Sequence, residues 1–181
     1  MPNSQHFLDV TLADFRATKG LGQRAMEQLR DDEVNWSPDG ESNSIAIIVK
    51  HLCGNMISRW TDIFTTDGEK PDRNRDAEFD EPNLTLAAAQ ALWNRGFDVL
   101  FATLAPLDDS HLAQTVIIRG VPCTVAEALH RNLAHTASHA GQIVYLAKSH
   151  RAGQWQTLSV PRGGSAAYNA NPIYETPPGK P

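Results

Sequence analysis

The sequence predicts an all-α protein: a four-helix bundle with a short β-hairpin or extended lip before the last helix and an irregular C-terminal tail. Three observations carry this. Four segments, each of about 20–27 residues, repeat apolar side chains at intervals of three and four, the period of a helix with one buried face. Turn residues separate them: Ser37-Pro38 and Asp39-Gly40, the stretch from Pro71 to Pro82, and Pro106. A single stretch, Thr115-Val116-Ile117-Ile118-Arg119-Gly120-Val121-Pro122, is rich in β-branched residues leading to a glycine, which suits a hairpin. With 181 residues the chain is long enough for one domain with a sizeable core, and no second domain is apparent. Residues 1–181 therefore read as a single unit, with about 166–181 as a loose tail.

The first helix is expected over about 5–31, where Leu8, Thr11, Phe15, Thr18, Gly22, Met26 and Leu29 form one stripe. A polar connection follows, in which Trp36 should fold back onto the bundle. The second helix is expected over about 44–64, capped by Ser42, Asn43 or Ser44, with Ile45, Ile48, Leu52, Met56 and Ile63 inward. Residues about 65–83 form a long loop of mixed charge, either a lid, a binding loop or disordered. The third helix is expected over about 85–105, on Leu86, Ala89, Trp93, Gly96, Phe97, Leu100 and Leu104. Thr124 and Glu127 are spaced as a capping box, so the fourth helix should begin at about 125. Lys148, His150 and Arg151, followed by Gly153, suit its end. Trp155, Leu158 and Val160 could dock on the bundle, and Pro177 to Pro181 should be loose. The long second connection allows up-down-down-up as readily as simple alternation.

His135 and His139 lie four apart on the fourth helix, one turn above the other. Both fall within the apolar stripe of Val125, Ala128, Leu129, Asn132, Thr136, Ile143 and Leu146, whereas His130 falls on the far side. Such a pair either holds a metal ion or consists of core histidines satisfied by hydrogen bonds. On the second helix His51 and Asn55 flank the apolar face, and Arg59 points closer to its centre. His51 can supply a third ligand. Three neutral imidazoles bind one divalent transition metal and leave positions open, the pattern of catalytic rather than structural zinc. Imidazole also suits nickel, iron and copper; zinc and nickel are the first candidates. Asn55 and Gln142, near His51 and His139 on their helices, are candidates for positioning ligands or solvent. Arg59 either holds an anionic group or extends its head to water.

Other chemistries lack their residues. There is no nucleophile elbow, phosphate-binding glycine loop or dinucleotide fingerprint. A net charge of −5 leans against nucleic acid and anionic membrane as partners. The longest apolar run, Ile45 to Val49, is too short to span a bilayer. Two cysteines, Cys53 and Cys123, with no paired motif, suit a reducing, cytoplasmic setting.

The run His135-Thr136-Ala137-Ser138-His139-Ala140-Gly141-Gln142-Ile143, with Ser44 to Leu52 upstream, resembles the DinB-like superfamily, also called YfiT-like metal-dependent hydrolases. Gly54-Asn55-Met56, Thr65 to Pro71 and Trp155 to Gly163 resemble signatures of an uncharacterised branch. The likeness covers most of residues 5–165. It implies an up-down-down-up bundle, often a homodimer, with a metal on His51, His135 and His139. Some relatives use the metal to activate a low-molecular-weight thiol for transfer or isomerisation. The expected function is thus a metal-dependent hydrolase or thiol transferase acting on a small molecule. The alternative is a non-catalytic, dimeric metal- or ligand-binding module related to stress.

Overall fold

The computed structural model describes residues 6–171. Four long helices dominate: α1 (His6–Met26), α2 (Ile45–Trp60), α3 (Leu86–Leu104) and α4 (Val125–Arg151). Strands β1 (Thr115–Ile118) and β2 (Val121–Thr124) form an antiparallel hairpin just before α4. A short helix, α5 (Ser165–Ala170), lies in the tail, so this part of the expected loose segment has regular structure. Pro177 to Pro181 lie outside the described residues.

Capping residues start the helices where the sequence suggests. The Ser44 hydroxyl accepts the Ile47 N–H, Thr85 that of Ala88, and Thr124 with Glu127 forms the reciprocal box. Two ends come earlier than the apolar pattern implies. α1 stops at Met26 rather than 31 because the following N–H groups turn to carbonyls three residues back, Gln28 to Ala25 and Leu29 to Met26. The Glu33 carboxylate then accepts the Arg30 N–H at 2.7 Å and holds the bend. α2 stops at Trp60 rather than 64 because Asp62 takes a φ of 50°, which a helix cannot continue. Leu29 and Ile63 are still buried, so the stripe outlasts both helices.

The helices associate as α2 with α3 and α1 with α4. Thr103 donates to the Trp60 carbonyl and Gly96 lies on Cys53, so α2 and α3 run parallel. Gly22 lies against Trp93, Lys19 reaches Phe97 and Arg16 reaches Phe101, so α1 and α3 are antiparallel. Trp60 meets Asn132 and His51 meets His135, so α4 opposes α2. The order is up-down-down-up. Leu8, Phe15, Met26, Leu52, Trp60, Trp93, Phe97, Leu100 and Ile143 fill the interior. Truncating any of the large aromatics there to alanine would cost about 3–5 kcal/mol.

The long second connection is laid down on α2. Ser58 Oγ accepts the Lys70 N–H at 2.9 Å, and the Gly68 N–H donates to the Ile117 carbonyl at 2.8 Å. The Asp67 carboxylate takes the N–H groups of Arg119 and Gly120, both at 2.7 Å. Those two residues turn the hairpin with φ of 56° and 72°. Beyond, a 3-10 turn (Asp76–Phe79) brings Glu78 onto α2. At the other end Trp36 tilts against the His150 ring, 4.9 Å away, while Trp155 and Leu158 dock on the core. Among the described residues, no helix is long and apolar enough to cross a membrane.

Candidate metal centre

α2 presents His51, Asn55 and Arg59 at successive turns, and all three are buried. Antiparallel α4 presents Arg131, Asn132, His135 and His139 in the reverse order. The crossing therefore matches His51 with His135 and His139, and Asn55 with Asn132. His51 Nε2 stands 3.1 Å from His135 Nε2. One nitrogen from each of the three rings lies within 4.8 Å of the others. Nitrogens bound at about 2.0–2.1 Å to a common tetrahedral ion stand roughly 3.3–3.4 Å apart, so small ring shifts suffice.

The outward nitrogens are held. His51 Nδ1 meets Glu78 Oε2 at 2.9 Å and His139 Nδ1 meets Gln142 Oε1 at 2.7 Å. Both partners accept, which assigns the hydrogen to Nδ1 and leaves the Nε2 lone pair facing inward. Glu78 is itself gripped by Arg73, whose Nε and Nη2 donate at 2.7 Å each. A Cβ on Gly54 would strike this carboxylate. The Phe79 ring covers His51 from 4.8 Å.

Electrostatics keep the donors in the form a metal needs. Burial opposes ionisation of Glu78, but hydrogen bonds from His51 and Arg73, with the Arg73 charge, hold its carboxyl below the usual range. Burial pushes His135 down to about 4, helped by His139, His51, Arg59 and Arg73. His139 is also lowered by burial, against the Gln142 hydrogen bond that raises it. A depressed value means a neutral ring with an available lone pair near pH 7. The donor set thus fits a divalent transition ion. A hydrogen bond between the two Nε2 atoms needs the hydrogen on His135 Nε2 and leaves His139 Nε2 out, whereas a cation takes a lone pair from each of the three rings.

Beside the rings is a cavity of about 150 Å³. His51 and His135 form part of its wall with Asn55, Asn132 and four arginines: Arg59, Arg75, Arg119 and Arg131. Of the residues expected at the site, His51, His135 and His139 converge and Gln142 supports His139. Asn55 lines the cavity, but its hydrogen bond goes to Asn132 at 3.0 Å rather than to a histidine, and Asn132 in turn accepts from Trp60. Arg59 lines the cavity and its Nε is buried without a partner.

Glu78, Arg73, Arg75, Arg119, Arg131 and Asn132 escape the sequence reading. Arg131 and Asn132 had a signal: the first sits one turn before His135, the second is a polar break in an apolar stripe. The others lie in loops, where spacing says nothing of direction.

A family model for proteins of unknown function, DUF1572, matches residues 2–164. No curated protein matches the chain. With nine-tenths of its length in that match, the chain belongs to the DUF1572 family, whose function is unknown.

Proposed function

We propose that this protein is a metal-dependent enzyme acting on a small molecule, with one divalent ion, zinc or nickel, held by His51, His135 and His139. The observation that carries the reading is the convergence of three ring nitrogens at the wall of a polar cavity. Three imidazoles leave positions free for solvent or substrate. When bound, the ion supplies Lewis acidity, enough to activate water or a low-molecular-weight thiol near neutral pH. The chain's own residues orient and attract. Glu78 and Gln142 fix the imidazole tautomers, and Arg59 offers a positive charge to an incoming group. Among the described residues, no carboxylate lines the cavity, and Glu78 is spent on Arg73 and His51. A side-chain general base is therefore not supplied there, which favours activation by the ion.

The reaction is hydrolysis or thiol transfer; the likeness to DinB-like proteins supports the second. The same likeness supports a homodimer, although all three histidines come from one chain. The test is elemental analysis of protein purified without a His tag, followed by turnover with a thiol and a panel of electrophiles. The expected result is one equivalent of divalent metal per chain, lost in His135→Ala. Absence of stoichiometric metal, or undiminished binding in His135→Ala, would overturn the proposal.

A further inference from the structure

The cavity wall carries more positive charge than three metal ligands explain. Four arginines line it from four places: Arg59 from α2, Arg75 from the start of the 3-10 turn, Arg119 from the hairpin turn and Arg131 from α4. Arg119 is paired, with Glu69 at 3.3 Å. Among the described residues, Arg59, Arg75 and Arg131 make no ion pair. Arg59 is only 5% exposed, and its Nε has no hydrogen-bond partner. An unpaired buried charge is costly, and arginine cannot escape by losing its proton. The chain as a whole is acidic, at −5, so the cluster is not the by-product of a basic surface.

We infer that the arginine-lined cavity binds a small oxyanion carrying about two negative charges, a phosphomonoester or a short dicarboxylate, beside the metal ligands. Guanidinium forks match the oxygens of phosphoryl and carboxylate groups in pairs. Three arginines without an ion pair, Arg59 buried and Arg75 and Arg131 exposed, line one space and suit a group with more than one negative charge. The volume, about 150 Å³, is that of roughly five water molecules in the liquid. It admits a phosphoryl or short dicarboxylate head. The inference names a substrate class for the proposed enzyme and rests on that reading for its chemistry. The binding step itself needs only the arginines.

The experiment titrates chelator-treated protein with inorganic phosphate, succinate and glycerol by calorimetry at low ionic strength. It is repeated on Arg75→Gln and Arg131→Gln, whose side chains are exposed and whose folding is checked by circular dichroism. One equivalent of phosphate or succinate should bind, glycerol should not, and each substitution should weaken binding by about tenfold or more. The tighter anion identifies the head group. Metal affinity, measured separately on the same variants, should stay within about threefold of wild type. If neither anion binds, or if both substitutions leave the affinity unchanged, the inference fails. Metal without anion binding would sink this inference alone, and anion without metal binding would sink the proposed enzyme alone.

Discussion

Glu78 aims His51. It accepts from Nδ1, is locked by two Arg73 donors, and lies 27 residues from the ring it orients. Glu78→Gln keeps the size and one accepting oxygen but loses the charge that fixes the imidazole. Metal affinity should drop about 10–100-fold in this variant, read by competition with a chromophoric chelator. Equal affinity in wild type and variant would show that His51 needs no such support. The three histidines are legible in the sequence because helical periodicity assigns each a direction. Gln142 is legible for the same reason, three residues after His139. Glu78 is not: it sits in a run of alternating charges where any carboxylate looks solvated.

The helices are legible as elements, their ends less so. Leu29 and Ile63 continue the apolar stripes after the backbone has left the helix, because a turn can bury a side chain as well as a helix can. Chain direction was open too. Parallel α2 and α3 require a connection that travels back along α2, which at 16 residues is about 24 Å long. That return path carries Arg73, Arg75 and Glu78 to the site, so the topology itself delivers the carboxylate that holds His51. Packing between elements also sets the sign of a simple substitution. Gly22 of α1 and Gly141 of α4 are both inside helices, where alanine is favoured by about 1 kcal/mol. A Cβ on Gly22 would lie 2.5 Å from the Trp93 ring, whereas one on Gly141 meets nothing within 4 Å. Gly141→Ala should therefore raise the melting temperature. Gly22→Ala should lower it, since overpacking costs about 1–3 kcal/mol. Thermal melts of the two variants check this directly.

Across the whole molecule, Glu33 ties the first connection to the far end of α4. Its buried carboxylate meets Arg30 at 2.9 Å, Arg151 at 3.2 Å and His150 at 3.4 Å. Burial opposes its ionisation, but the Arg30 N–H and the two guanidiniums outweigh that and lower its pKa. A carboxyl depressed by folding stabilises the native state above the unfolded-chain value, about 4.3. That stabilisation is lost as pH falls through the lower native value. Glu33→Gln should thus lose about 1.5–3 kcal/mol at pH 7 and show a shallower decline in stability below pH ~4.3. Denaturant titrations at a series of pH values measure both. A flat acid limb in the unaltered protein would remove Glu33 from this role.

The hairpin turn holds one last implication. Arg119 adopts a left-handed backbone that costs a residue with a Cβ about 1–2 kcal/mol and that asparagine or glycine would enter more easily. Arg119, meanwhile, also lines the charged hollow. Firmness of the fold and capture of a ligand consequently pull against each other at a single position, and a sequence selected only for heat tolerance would be expected to surrender the arginine first.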